Sequence, residues 1–473
     1  MQTSPWRAAK TLDACKFKYG ADKRRMNRAD LRKLFPVIYM HKSIWSQTCL
    51  LPSFPSLTGN VKTDVAIIGG GMAGLLCAHQ LKTAGVDCLV IEAERTGGGV
   101  TANTTAKITS QHGLIYDKLL EKFGPEIARD YWQINQNALA EYRRLAEGIP
   151  CDFEIRDNFI YSVDSRDDLD RELEALYRLK IPAELVESLP LPLSTAGAVC
   201  FRDQAQFHPL KFLSGIASNL NIREHTRALK IEKGRVITDR GTIRAEKIIV
   251  ATHFPFYDRR GLYFVKQYQD RSYVLALAEA ADVNGMYLDG SGKGLSFRNQ
   301  DGLLLLGGGS HRTGKQSRGW EPLSAFADAH YPGSKEVARW AAQDCMTLDG
   351  MPYVGQYSPR TPWLYVATGF NKWGMTSSMA AALILREQIL DRDPGYAEIF
   401  NPARSMFHPQ LAENLVETSL NLLTLRQPRC PHLGCALKWN PRERSWDCPC
   451  HGSRFGEDGK LLDTPAIRDL EER

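Results

Sequence analysis

Two short boxes near the C-terminus, Cys430-Pro-His432-Leu-Gly-Cys435 and Cys448-Pro-Cys450-His451-Gly-Ser453, gather the residue types best suited to holding a metal. Each offers one thiolate and one imidazole, in the pattern C-x-H, fifteen residues, C-x-x-H. Cys430 and Cys448 can then give two sulfurs to one iron of a two-iron cluster, while His432 and His451 give two nitrogens to the other. Neutral histidines in place of two thiolates withdraw negative charge and raise the reduction potential, so such a site takes single electrons from a reduced organic cofactor. The chemistry indicated is electron transfer. Zinc also accepts two cysteines and two histidines. Zinc sites rarely use C-x-H, however, and do not need the additional Cys435 and Cys450.

A second constellation can cradle a phosphate. Asp64-Val-Ala-Ile-Ile68 reads as a buried strand, Gly69-Gly-Gly71-Met-Ala-Gly74 as G-x-G-x-x-G, and the residues to Ala84 as a helix; Cys88 to Ile91 is a second strand, ending at Glu92. Gly69 makes the tight turn, Gly71 lets a pyrophosphate approach the backbone, and Gly74 lets the helix lie close to the sheet. The helix N-terminus faces the phosphates, and Glu92, eighteen residues beyond Gly74, can accept from ribose hydroxyls. Strand, glycines, helix and acid together make a dinucleotide site, though FAD and NAD share the fingerprint. Other segments decide between them. Gly97 to Ile108, which contains Thr104 and Thr105, is small and hydroxyl-rich, suited to run beside a ligand. Ile248 to Thr252 ends a buried strand in Ala251 and Thr252, and Leu364 to Phe370, with Gly369, ends another. A helix beginning at Gly374, Met375 and Thr376 points amides at the electron-rich edge of an isoalloxazine ring, where negative charge collects on reduction.

These elements need a chain of several cores. At 473 residues there is room for two or three domains. The net charge of +6 is uneven: residues 1–42 hold eleven Lys or Arg against three Asp, leaving about −2 for the remainder. A near-neutral body indicates no nucleic-acid partner. The basic extension has no dependable periodicity, and its apolar stretch Phe35 to Met40 is too short for a signal-peptide core. It reads as a disordered tail or as sequence ahead of a start at Met40, with Lys23-Arg-Arg25 as a surface or nucleic-acid tag the lesser reading. No run of eighteen apolar residues occurs, so no transmembrane segment is expected. Cys15, Cys49, Cys77, Cys88, Cys151, Cys200 and Cys345 show no pairing pattern, which fits a reducing cytoplasm.

The two boxes resemble the cluster loops of Rieske proteins. The resemblance implies a 2Fe-2S cluster and, as in the respiratory cytochrome bc type, a disulfide between Cys435 and Cys450. Ser453 continues the match, its hydroxyl suited to donate to a cluster sulfide. Phe455 departs from it: high-potential members carry tyrosine there, so a lower potential is expected. Residues 43 to about 400 resemble the D-amino-acid-oxidase-like FAD-dependent oxidoreductases, the group of glycine, sarcosine and gamma-glutamylputrescine oxidases. The likeness rests on Ser43-Ile-Trp45, Thr104 to Gly113, Gln206-Phe-His-Pro209, Ala251 to Pro255 and Thr368 to Thr376, and is closest to a bacterial branch with a C-terminal Rieske domain. It implies an α/β Rossmann-like FAD-binding domain (about 60–149, 196–255 and 345–400) interrupted by a mostly antiparallel substrate sheet (about 150–195 and 256–344). Residues 401–425 then link to a small all-β Rieske domain at 426–473.

Enzymes of this resemblance take a hydride equivalent from a carbon bearing an amine, giving an imine that water hydrolyses; the flavin does the chemistry and the protein positions the carbon. Gly307 to Arg312 follows a strand and is expected to end over the active site, with His311 orienting the amine and Arg312 clamping an anion, unless both are surface loop residues. Lys107 either sets a positive charge near the reduced flavin or is solvated. Asp349 either holds a cationic substrate or forms an Asp-Gly turn. In the sarcosine oxidase pattern a lysine after the Gly-Phe segment binds the substrate carboxylate; Thr376 stands there here, which argues against a simple alpha-amino acid. The spacing around Cys345 differs from that of the covalent tether in some sarcosine oxidases, so non-covalent FAD is expected.

The Rieske segment is short. Leu411 to Leu425 has helical spacing, which leaves a hairpin at 436–447 and a closing strand at Gly459 to Asp463. Such a unit buries too little alone and is expected to lean on the flavin domain or on a second copy in a homodimer. Three functions stay open: an amine dehydrogenase passing electrons through the cluster to a soluble acceptor or quinone, an oxygen-using flavin amine oxidase with a vestigial or zinc-binding C-terminal domain, and a non-catalytic redox sensor.

Overall fold

The computed structural model describes residues 42–292 and 294–471; the basic extension through residue 41, with the tail and start-site expectations attached to it, lies outside them. Strand Val61–Ile68 is apolar and buried over its last four residues, as a strand covered on both faces must be. It sits inside an eight-stranded sheet, where it runs parallel to Cys88–Ile91 on one side and Thr242–Val250 on the other. Thr242–Val250 pairs in turn with Leu364–Thr368. Helices Met72–Thr83 and Gly374–Ile389 are apolar on nearly every side and share one buried core with this sheet.

The second sheet has nine strands and is antiparallel except where Met286–Asp289 lies parallel to Glu154–Ser162. Strand Gly197–Gln206, expected among the nucleotide-binding segments, belongs here instead, paired with Glu154–Ser162 and with Lys107–Ile108. Long strand partners outweigh sequence proximity: its residues pair over most of the length of Glu154–Ser162. Strands Lys335–Thr347, Gln267–Ala278 and Leu303–Arg312 stand side by side at one end. Because side chains alternate along a strand, Tyr268, Asp270 and Ser272 face one way while Gln269 and Arg271 face the other.

The C-terminal part is a sheet of four three-residue strands, Lys438–Asn440, Ser445–Asp447, Arg454–Gly456 and Leu461–Asp463, paired antiparallel in that order. Its core is small: Cys430, Cys435, Leu437, Cys448, Cys450, Phe455 and Ala466. Cover comes from the second sheet. Glu443 is bonded by Arg271, Gln343 Nε2 donates to Gly452 O at 2.8 Å, and a Cβ on Gly314 would meet Pro449 N at 2.7 Å. The expected linker is mostly the helix Pro409–Leu423, whose amphipathy is inverted: Asn414 and Asn421 are buried while Leu415, Val416, Leu420 and Leu423 are exposed. Asn414 works inward, accepting from Arg312 Nη1 at 2.9 Å and donating to Val265 O at 3.1 Å. No helix among the described residues is long and apolar enough to cross a membrane.

Candidate functional site

The glycine turn opens a cavity of about 1420 Å³ whose walls include Gly69, Gly71, Glu92, Thr104, Thr105, Ala251, Thr252, Gly374 and Met375. That exceeds the ~300–1,000 Å³ of a drug-sized ligand site, as an extended dinucleotide with a substrate beside it requires. The glycines fit such a ligand. A Cβ on Gly69 would lie 2.5 Å from Ala251 O and one on Gly74 only 1.9 Å from Gly69 O, whereas one on Gly71 meets nothing nearer than Thr101 Oγ1 at 3.4 Å. Gly71 caps helix Met72–Thr83 without a side-chain hydrogen bond; Met72 N donates to Thr101 Oγ1 at 3.1 Å, and the amides of Ala73 and Gly74 remain for an anion. Glu92 Oε2 accepts from Gly70 N at 2.8 Å and Oε1 from Glu94 N at 2.9 Å. Burial nevertheless raises its pKa. Gly74, Gly369 and Thr376 stand behind the wall rather than in it. Gly369 turns beside Thr347, and Thr376 Oγ1 accepts from Thr109 N at 3.0 Å and donates to Thr109 O at 2.8 Å, locking two segments together.

The antiparallel sheet supplies the polar part of the same cavity. Asp270 and Asp344 are directly opposite one another across strands, and both line it. Burial raises the Asp344 pKa to about 6; the Lys372 charge opposes that rise and the neighbouring Asp270 adds to it. Lys372 Nζ lies 3.8 Å from Asp270 Oδ2 and also bonds Ser310 Oγ. His112, stacked on Trp373 at 5.0 Å and bonded through Nδ1 to the Tyr131 hydroxyl at 2.5 Å, lines another part of the wall. Burial pushes its pKa down to about 3, so the ring is neutral. Asp270, Asp344, His112 and Lys372 were not singled out above; strand alternation could have drawn attention to the two carboxylates, but their cross-strand register has no local signature.

The sequence candidates fare unevenly in geometry. His311 lines the cavity, stacked on Tyr273 with ring centroids 5.7 Å apart, and burial lowers its pKa. Arg312 also reaches the cavity, but its donors are engaged: Nε with Pro449 O at 3.1 Å, Nη1 with Asn414 and Nη2 with Cys450 O at 3.4 Å. It clamps the cluster loop where a free anion clamp was expected. Asp349 is held by Arg404 through two 2.7 Å hydrogen bonds, so its carboxylate already has a cation; burial raises the pKa, but Arg404 brings it below the ordinary value. Lys107 is buried, not solvated, with Thr105 Oγ1 at 3.5 Å and the like charge of Arg298 nearby; burial chiefly pulls it down to about 7. Cys345 lines the cavity as a buried thiol pushed up to about 12 by burial.

The metal boxes converge at the other side of that sheet. Cys430 and Cys448 share a hydrogen bond, which lowers the Cys430 pKa and raises that of Cys448. Cys448 also lies against His451, and the His432 and His451 rings are 4.9 Å apart. His432 Nδ1 and both ring nitrogens of His451 are buried without a partner. Orphaned imidazole nitrogens beside close sulfurs are what a metal centre requires of its protein. The Sγ atoms of Cys435, Cys448 and Cys450 also lie within 4.8 Å of one another, but Cys435 and Cys450 are disulfide-bonded, which leaves Cys448 as the thiol of that trio able to bind a metal. Ser453 Oγ bonds Cys430 and accepts from Ala466 N at 3.0 Å, and Phe455 is fully buried. One side chain joins the two sites: Gln269 Oε1 lies 3.2 Å from His253 Nε2 in the cavity wall, and Gln269 Nε2 donates to His451 O at 2.9 Å.

Glycine-turn cavity, antiparallel substrate sheet and two-histidine metal centre define a flavoprotein fused to an iron–sulfur module. The family described as FAD dependent oxidoreductase (DAO) matches residues 64–388, and the Rieske 2Fe-2S domain matches residues 415–472. The chain therefore belongs to the DAO family of FAD-dependent oxidoreductases and carries a C-terminal Rieske domain; its cofactors are FAD and a 2Fe-2S cluster. It is 35% identical, over 91% of its own length and 97% of the relative's, to YhfW of Bacillus subtilis (strain 168), whose name describes a Rieske 2Fe-2S iron-sulfur protein. In fold it is similar to glycine oxidase from Geobacillus kaustophilus, with a TM-score of 0.61 and 18% identity over 73% of this chain and 99% of that one. L-proline dehydrogenase from P. horikoshii is alike to the same degree, with a TM-score of 0.62 and 16% identity over 74% and 98% of the two chains.

Proposed function

We propose that this chain oxidises the carbon–nitrogen bond of an amine to an imine, which water hydrolyses, and that the two electrons leave singly by way of the cluster to a soluble carrier or quinone. FAD accepts a hydride equivalent and the cluster accepts one electron at a time. On this reading Gly69 and Gly71 admit the pyrophosphate, Glu92 takes the ribose, Thr104, Thr105, Ala251 and Thr252 flank the cofactor, and Gly374 and Met375 turn amides toward its ring. Cys430 and Cys448 hold one iron; His432 and His451 hold the other. The FAD-binding and substrate parts alternate along the chain up to about residue 400, followed by the helix and the Rieske domain.

The observation that carries the proposal is that strand Gln267–Ala278 has Asp270 on the cavity and Gln269 on the cluster ligand His451, so one strand divides the two sites. Two carboxylates opposed across a sheet repel unless a cation lies against them. Lys372 lies nearest Asp270 and its charge also reaches Asp344, but one ammonium does not balance two carboxylates; a substrate ammonium would supply the second cation. Arg312 and Lys372, two cations near the paired carboxylates, are already committed, which supports an amine over a simple alpha-amino acid as substrate. Glycine oxidase and L-proline dehydrogenase, of similar fold, are named for the oxidation of nitrogen-bearing compounds, which supports the carbon–nitrogen bond as the target though not the choice between an amine and an amino acid. Unpaired Cys49, Cys77, Cys88, Cys151, Cys200 and Cys345 support a reducing, cytoplasmic setting.

The test is anaerobic addition of a panel of amines to iron-loaded protein, following flavin bleaching and then the rhombic EPR signal of a reduced cluster. Bleaching with no cluster signal would leave an oxygen-using oxidase. No bleaching with any amine would leave a redox sensor, and zinc as the sole metal would remove the electron-transfer role.

A further inference from the structure

Asp258 belongs to the flavoprotein half, between strand Thr242–Val250 and the short helix Tyr263–Lys266. Its Oδ2 lies 2.8 Å from His432 Nε2, a contact spanning 174 residues of sequence. Asp258 Oδ1 is buried without a partner, and the opposite ring nitrogen of the histidine, Nδ1, is in the same condition. His451 is surrounded differently: neither ring nitrogen has a hydrogen-bond partner, and the rings of Phe254 and Phe264 flank it, each 6.2 Å away. One histidine of the centre thus meets a carboxylate and the other meets hydrocarbon.

A carboxylate that accepts from Nε2–H fixes the hydrogen on that nitrogen and leaves the Nδ1 lone pair for a metal. It also brings a negative charge within one imidazole of the iron, which favours the more positive, oxidised cluster. We infer that Asp258 is a positioning residue for the cluster, supplied by the flavoprotein half, which fixes the tautomer and ring plane of His432 and lowers the reduction potential. The inference rests on the Rieske reading and deepens it: the potential is set at the seam between the two halves, not by the cluster loops alone. It also identifies the two histidines as inequivalent, which neither ligand box shows by itself.

The experiment uses the full-length holoprotein at one fixed pH, as wild type, Asp258→Asn and Asp258→Glu, with iron content, EPR of the reduced cluster and midpoint potential measured for each. Asparagine retains an acceptor for Nε2–H but removes the charge. Asp258→Asn is expected to keep its iron, to shift the g-values, and to raise the ratio of reduced to oxidised cluster about tenfold at a fixed poise, equivalent to about 59 mV for one electron. Asp258→Glu is expected to stay near wild type in iron and potential. An Asn variant with full iron and unchanged potential and g-values overturns the inference, as does a Glu variant that shifts as far as Asn. Wild-type protein without iron would instead defeat the Rieske reading itself, so the two failures are told apart by the first measurement.

Discussion

At the residue scale, the charges of the seam matter more than any surface ion pair. Glu443 and Arg271 are each only 8% exposed, and Arg454, 5% exposed, donates to the same carboxylate at 2.9 Å. Removing one partner strands a buried charge, so Glu443→Ala should cost ~3–5 kcal/mol in denaturant unfolding. Burial alone would raise the Glu443 pKa, but Arg271 and Arg454 hold it well below the carboxylate range. A depressed folded pKa gives stability that is present above the unfolded value of about 4.3 and lost as pH falls through the folded one. Glu443→Gln should therefore flatten the acid limb of the stability profile below about pH 4.3. Lys107 has the opposite signature. Its pKa of about 7 lies below the unfolded value of about 10.4, so the unfolded chain binds more protons between them and stability rises with pH. Lys107→Met should raise the melting temperature at pH 6, with the gain fading by about pH 10. The metal and nucleotide boxes could be read at this scale because their chemistry depends on near neighbours in sequence. Asp258, Gln269 and the true work of Arg312 could not, since each acts on a residue more than a hundred positions away.

At the scale of elements, two glycines separate close packing from mere conformational freedom. Gly74→Ala sets a methyl group against Gly69 O and should displace helix Met72–Thr83 from the sheet, costing ~1–3 kcal/mol and lowering the ratio of flavin to protein absorbance. Gly148→Ala is the control, because it lies outside the cavity wall and its Cβ position meets nothing nearer than Leu145 O at 3.9 Å. Gly314→Ala strains a residue at φ +78° and presses on Pro449; it should loosen the loop of the second metal box and hasten proteolytic release of the C-terminal part, with the four proposed ligands unchanged. The strand–turn–helix of the nucleotide site was legible because its period and glycine spacing are local. Strand Gly197–Gln206 cannot be placed from sequence alone because its apolar run suits either sheet, and only its partners decide. The helix at 409–423 was legible in its spacing, yet its buried asparagines invert the usual inward face: hydrogen bonds to Arg312 and Val265 prevailed over leucine burial.

At the scale of the whole molecule, the Rieske part takes its cover from the flavoprotein half. A core of seven buried side chains falls short of what a domain of this size needs without staples or a metal. Residues 426–473 expressed alone should bind little iron under conditions that load the full chain, which elemental analysis of the two proteins would check. The seam also dictates how the cluster can work. Arg312, Gln269, Gln343, Arg271 and Asp258 grip both cluster loops and the strands behind them. A head so held cannot swing between donor and acceptor. Thickening the solvent with sucrose should thus leave the internal transfer rate unchanged and slow only the encounter with the outside carrier.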